Sequence, residues 1–101
     1  MSAARPQAEG VRQLENERVI VTEWRFAPGA ETGWHRHAHD YVVVPLTTGK
    51  LRLETPDGER IAELVTGVSY ARPVGVEHNV INANDYPLSF IEVEIKAQVQ
   101  D

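Results

Sequence analysis

The sequence contains no cysteine among its 101 residues. This absence excludes disulfide bonds, thiolate metal ligands and a cysteine nucleophile. Long apolar segments are also absent, since the longest apolar run, residues 41–46, is far too short to span a bilayer. The first residues are small and polar and lack the apolar core of a signal peptide. The sequence therefore predicts a cytoplasmic protein.

Positive charge is scarce as well. Ten lysines and arginines face fifteen aspartates and glutamates, which gives a formal net charge of −5. Because a mildly acidic surface is repelled by phosphate backbones and anionic lipids, neither nucleic acid nor a membrane is expected as a partner. No serine stands in an elbow-like context, so nucleophilic catalysis has no obvious agent.

No segment carries a convincing helical stripe. From Val11 onward, apolar and polar residues alternate with period two, and turn residues follow at short intervals. The segment "PDGE" at residues 56–59 is a strong turn signal, because proline presets φ and Asp-Gly supplies a tight bend. About eight to ten short strands predict an all-β fold of antiparallel sheets, a sandwich or a barrel. Pro45, inside an apolar strand, indicates an edge or a bulge.

The length predicts one domain, which we assign to residues 11–101. Residues 1–10 are predicted to form a flexible N-terminal arm, because they carry nothing to bury. In the last predicted strand, Glu92 and Glu94 alternate with Ile91 and Val93. This pattern predicts that the two glutamates point outward, which makes them poor candidates for a general base.

Three of the four histidines stand at alternate positions in "WHRHAHDY". Residues two apart on a strand point the same way and lie about 6.7 Å apart, so His35 and His37 can converge on one ion. His39 shares their parity but lies about 13 Å from His35 on a straight strand, so a third ligand must come from elsewhere. His78 is the candidate, since a Pro-x-Gly turn delivers it to the start of another strand. Imidazole suits Fe, Zn, Ni, Cu and, less well, Mn.

The two histidine segments resemble the two sequence motifs of the cupin superfamily. The first motif, G-x5-H-x-H-x3,4-E-x6-G, is matched by Gly29, His35, His37 and Gly49. The second, G-x5-P-x-G-x2-H-x3-N, is matched at every position by Gly67, Pro73, Gly75, His78 and Asn82. The resemblance implies a double-stranded β-helix, the cupin jelly roll of two antiparallel sheets. It also implies that His35, His37 and His78 are metal ligands.

One motif position departs from the family. Cupins usually place a glutamate four or five residues after the second histidine, where this chain has Tyr41 and Val42, and the only acid nearby is Asp40. A three-histidine site would leave a divalent ion its full charge and open positions for water or substrate. Alternatively, Asp40 or His39 could approach the ion if the chain turns a corner after His37, or the site could hold no metal. Tyr41 is interpreted as a cavity wall that faces the metal or a ligand.

Several other residues have both a functional and a structural interpretation. Arg36 and Arg72 could bind a substrate carboxylate, although solvated surface arginines are commoner. Asn82 is interpreted as structural, bonding backbone near the second turn. Large apolar side chains are interpreted mainly as core, although a jelly roll also wraps its cavity with such residues: Trp24, Phe26, Leu51, Leu53 and Tyr70.

These observations predict a metal-binding cupin that uses a divalent transition metal (Fe, Zn, Ni or Mn). The first hypothesis is a small-molecule metalloenzyme, a dioxygenase or isomerase, acting on a small organic or amino acid; the resemblance includes single-domain cupins linked to β-amino acid breakdown. The second hypothesis is a non-catalytic module in which the metal anchors a small ligand. The third treats the histidines as remnants on a dimerising scaffold. A homodimer is expected in any case, with residues 11–21 as the segment that crosses between subunits.

Overall fold

The computed structural model of the chain describes residues 4–97, which form nine β-strands and no helix. The strands are β1 (Glu9–Glu15), β2 (Val19–Phe26), β3 (His35–Arg36), β4 (Asp40–Pro45), β5 (Gly49–Thr55), β6 (Gly58–Leu64), β7 (Tyr70–Arg72), β8 (Glu77–Asn82) and β9 (Leu88–Ile95). The predicted all-β class is therefore confirmed. Within the described residues, no helix is long and apolar enough to cross a membrane.

The nine strands form two antiparallel sheets. One sheet has five strands in the order β1-β2-β9-β4-β7, and the other has four in the order β3-β8-β5-β6. The buried core draws on both sheets, with Phe26 and Phe90 from the first and Leu51 and Val80 from the second. The two sheets therefore pack face to face, as in a jelly roll. This arrangement confirms the predicted double-stranded β-helix.

The histidine-rich segment divides between the two sheets, where the sequence predicted one strand. His35 lies on β3 in the four-stranded sheet, and Asp40 begins β4 in the five-stranded sheet. The pairing of β3 continues for one residue, since the His37 N–H donates to the Val76 carbonyl at 2.8 Å. The chain then bends over Ala38 and crosses to the facing sheet. The sequence left open that such a corner could bring Asp40 or His39 to the ion. The corner is present, but neither residue joins the cluster of His35, His37 and His78.

Pro45 occupies a local edge of an interior strand. Its strand, β4, lies between β9 and β7, but β7 pairs only with Tyr41, Val42 and Val43. Pro45 lies beyond the end of this pairing, so its lack of an N–H costs no hydrogen bond to β7. The Pro45 carbonyl still accepts a hydrogen bond from the Gly67 N–H at 2.9 Å.

Part of the segment predicted as a flexible arm is bonded to the rest of the domain. Ala8 is 4% exposed, and its N–H donates to the Glu31 carbonyl at 2.8 Å. The Arg5 guanidinium forms an ion pair with the Glu31 carboxylate at 2.8 Å. Residues 1–3 lie outside the described part. The packed structure thus begins earlier than the predicted boundary at residue 11, because backbone pairing with residue 31 compensates for the lack of large apolar side chains.

The segment predicted to cross between subunits pairs within its own chain. Strands β1 and β2 form an antiparallel hairpin, with a register shift between Arg12 and Leu14. The Asn16 side chain closes the turn, since its Oδ1 accepts hydrogen bonds from the N–H groups of Arg18 and Val19 at 2.8 and 2.9 Å. The homodimer stays a prediction.

Candidate functional site

Three histidines from two separate parts of the sequence converge between the sheets. His35 on β3 lies directly opposite His78 on β8 in the antiparallel register, and His37 follows just beyond the end of β3. The Nε2 atoms of His35 and His37 are 3.1 Å apart, and those of His37 and His78 are 3.0 Å apart. The structure therefore brings together the three residues predicted as ligands, as a compact group of ring nitrogens.

Hydrogen bonding orients the His35 ring. Its Nδ1 lies 2.9 Å from the Gly33 carbonyl oxygen, which can only accept a hydrogen bond. In the neutral ring, Nδ1 therefore carries the proton, and the lone pair of Nε2 faces the other two histidines. A neutral imidazole held in this way is the form that binds a metal.

The two deeper histidines are held neutral by their surroundings. Burial, together with the charges of His35, His78 and Arg72, lowers the pKa of His37 to about 3. Burial, with the charges of His35 and Arg72, lowers the pKa of His78 to about 4. Both rings are therefore uncharged near neutral pH, with lone pairs available for a cation.

A tight turn delivers His78 to the group, as the second motif predicts. Gly75 has a φ of +93°, in the left-handed region that favours glycine. Its N–H donates to the His37 carbonyl at 2.9 Å, which links the turn directly to the first histidine segment. The second motif's asparagine is structural, as interpreted: Asn82 is 2% exposed, and its Nδ2 donates to the carbonyls of Phe26, Ala27 and Tyr86.

Tyr41, at a position where the family usually has glutamate, stacks on a histidine. Its ring lies 3.8 Å from that of His37, centre to centre, with the two planes 15° apart. Burial raises the pKa of Tyr41, so the phenol stays protonated. The other two residues considered beside it lie elsewhere: Asp40 is exposed and accepts a hydrogen bond from the Val74 N–H at 2.7 Å, and His39 is not among the clustered histidines.

The three histidines open onto a cavity of about 360 Å³ between the two sheets. This volume is at the small end of ligand pockets, which suits a small molecule. Both candidate arginines, Arg36 and Arg72, lie on its wall. Of the large apolar side chains interpreted mainly as core, Phe26 belongs to the core alone, and Leu51 belongs to both core and cavity wall. Trp24 and Leu53 pack against the core and also line the cavity, and Tyr70 lines the cavity.

The outward placement predicted for Glu92 and Glu94 is wrong. Both line the cavity, and Glu92 is only 8% exposed. Burial, followed by the charge of Glu94, raises the pKa of Glu92 to about 7, whereas a hydrogen bond from Trp24 lowers it. The inward face of β9 is set by Leu88 and Phe90, whose parity Glu92 and Glu94 share. That parity is the sequence signal that could have identified the two glutamates.

The chain is similar over most of its length to known cupins. Residues 22–94 match the family described as Cupin domain (Cupin_2). The chain is 65% identical over 94 residues to the Beta-alanine degradation protein BauB of Pseudomonas aeruginosa PAO1, covering 93% of this chain and 99% of BauB. A cupin domain from Bordetella pertussis Tohama I has 62% identity and a TM-score of 0.94, over 95% of this chain and 100% of that chain.

A more distant structural relative supports the architecture alone. A protein with a double-stranded β-helix domain from Klebsiella pneumoniae has a TM-score of 0.74 at 21% identity. The match covers 93% of this chain and 81% of that chain. With the jelly roll, both histidine motifs and the matched family in agreement, the chain belongs to the cupin family.

Proposed function

We propose that the protein is a metal-dependent cupin in which His35, His37 and His78 hold one divalent transition-metal ion. The spacing of their Nε2 atoms supports this proposal. For metal–nitrogen bonds of about 2.0–2.1 Å, two ligating nitrogens lie about 2.9 Å apart at a right angle and about 3.4 Å apart at the tetrahedral angle. The spacings of 3.0 and 3.1 Å, from His37 to His78 and to His35, fall within this interval, and the ligand atoms of all three histidines lie within 4.8 Å of one another.

The ligand set determines what such an ion could do. It would consist of three neutral imidazoles, because Tyr41 replaces the family's usual carboxylate and is itself protonated. When bound, an ion of this kind supplies Lewis-acid polarisation of an oxygen ligand and, in the case of iron, the capacity for dioxygen chemistry. The apolar part of the wall, including Trp24, Val43 and Leu51, limits water around the reacting molecule.

We further propose an oxidoreductase acting on a small amino acid or its breakdown product. The similarity to BauB, whose name describes β-alanine degradation, supports this substrate class. The small cavity volume supports it independently. The replacement of the carboxylate by Tyr41 favours a second candidate, in which the metal anchors a ligand without turnover. Oxygen consumption with candidate substrates separates the two, because binding without turnover consumes none.

The first test is the metal content of protein purified without a histidine tag. After reconstitution with Fe²⁺, Zn²⁺, Ni²⁺ or Mn²⁺ and desalting, we expect close to one ion per chain for at least one metal. Elemental analysis by mass spectrometry measures this ratio. Protein that retains none of the four metals would refute the metal proposal.

The stack between Tyr41 and His37 is expected to support the ion. Tyr41→Phe is expected to change metal affinity less than about twofold, because the ring that stacks on His37 is kept. Tyr41→Ala removes the stack and is expected to weaken affinity about tenfold, the scale of lost support for a ligand. Competition with a chromophoric chelator measures both. An equal loss in the two variants would instead assign the phenol hydroxyl a direct role.

A further inference from the structure

The cavity wall carries acidic and basic side chains on neighbouring strands of the five-stranded sheet. Strand β4 lies between β9 and β7, so residues paired with the same β4 residue form a row across the sheet. All members of two such rows line the cavity. The first row is Glu94, Tyr41 and Arg72, and the second is Glu92, Val43 and Tyr70.

The rows determine the separation between opposite charges. Adjacent strands lie about 4.8 Å apart and alternate residues about 6.7 Å apart, so the Cα atoms of Arg72 and Glu92 are about 12 Å apart. Both side chains extend toward the same space. This leaves room between the guanidinium and the carboxyl for a short carbon chain, which Val43 and Phe90 can contact from the wall.

Neither charged group has an ionic partner among residues 4–97. The Glu92 carboxyl accepts a single hydrogen bond, from Trp24 Nε1 at a long 3.4 Å, although the residue is more than nine-tenths buried. A buried carboxylate without a cation is costly, and this cost raises the pKa of Glu92 to about 7. Arg72 forms no ion pair in the described chain, and its charge acts on His37 and His78 instead.

We propose that the cavity binds a short ω-amino acid, with its carboxylate beside Arg72 and its ammonium group at Glu92. A guanidinium is well matched to a carboxylate, and a ligand ammonium provides the cation that the buried Glu92 lacks. A monoacid would leave Glu92 unpaired, and a monoamine would leave Arg72 unpaired. The inference rests on the proposed function, since it specifies the substrate class of the same cavity.

The test compares matched ligands by calorimetric titration of the full chain. The series contains ω-amino acids of three to six carbons, each with the monoacid and the monoamine of equal length. We expect at least one amino acid to bind at least tenfold more tightly than either matched ligand. The titrations use both metal-loaded and chelator-treated protein at pH 7.5.

Two variants assign the two ends of the ligand. Arg72→Gln is expected to weaken amino acid and monoacid binding at least tenfold while leaving the monoamine unchanged. Glu92→Gln is expected to weaken amino acid and monoamine binding at least tenfold while leaving the monoacid unchanged. Arg18→Gln, at an exposed arginine of the hairpin turn, is the control and should behave as the parent.

Three results would overturn the inference: no binding in the series, no preference over matched monoacids, or unchanged amino acid affinity in Glu92→Gln. A different measurement, the metal content of the protein, tests the metal proposal. Protein that holds no metal but keeps the preference for amino acids would refute the metal centre and leave the ligand class standing. Protein that holds metal without this preference would refute the ligand class alone.

Discussion

Replacing His78 by alanine is expected to lower metal content from about one ion per chain to below a tenth of that value. The substitution removes one of three clustered ring nitrogens, and it leaves His35 and His37 as a two-ligand site. We expect the affinity to fall at least about 100-fold, beyond the 10- to 100-fold typical of losing a group that only supports a ligand. Elemental analysis after reconstitution and desalting measures the effect.

His39→Ala is the matched control for this experiment. It removes a histidine from the same segment that lies outside the three-histidine cluster. We expect it to retain the metal content of the parent. Circular dichroism should show an intact β-fold in both variants, because neither position contributes to the main apolar core cluster. A His78→Ala protein that is folded and fully loaded would refute the ligand assignment, as would loss of metal in His39→Ala alone.

Replacing Glu92 by glutamine is expected to stabilise the metal-free protein by about 3 kcal/mol at pH 8 and by almost nothing at pH 4. The folded pKa of this carboxyl is raised from 4.5 to about 7, chiefly by burial. A tenfold change in a proton-binding constant corresponds to about 1.4 kcal/mol. Between pH 4.5 and pH 7 the unfolded chain is ionised at this position while the folded chain holds the proton, so the parent loses stability as pH rises. Glutamine is neutral throughout and avoids that loss.

Urea unfolding of both proteins at several pH values measures the difference. Chelator-treated protein without amino acids is required, because a bound cation would stabilise the ionised carboxylate. Glu63→Gln, at an exposed position on β6, is the control and should shift the free energy of unfolding by less than about 0.5 kcal/mol. A difference between parent and Glu92→Gln that is the same at pH 4 and pH 8 would contradict the buried carboxyl.

The histidine cluster could be predicted from sequence because it depends on short-range geometry. On an extended segment, alternate residues such as His35 and His37 point the same way, and a Pro-x-Gly turn places His78 at the start of the next strand. Gly75 does adopt the left-handed conformation that the motif implies. Predicting that the two segments converge required the family resemblance, because no local sequence pattern indicates which strands pair.

The corner after His37 and the packing of the N-terminal residues could not be predicted in the same way. The corner takes the chain from one sheet to the other, and its position depends on where β8 and β9 offer backbone partners. The N-terminal residues lack bulk, so composition indicated a free arm. The Ala8 N–H nevertheless donates to the Glu31 carbonyl, and the Glu31 N–H donates to the Pro6 carbonyl, and such backbone pairing leaves little trace in composition.

By itself, the sequence determined the strand-rich fold, the two motifs and the identity of the three clustered histidines. The tertiary structure decided which face of β9 points inward. Period-two alternation divides a strand into two faces but does not orient them when both carry apolar residues, as Phe90 and Ile91 do here. Pairing with β2 and β4 placed Leu88 and Phe90 against the core, and Glu92 followed them into the cavity. The first motif of this chain lacks the family's usual carboxylate, whereas the last strand contributes the Glu92 carboxyl to the cavity wall.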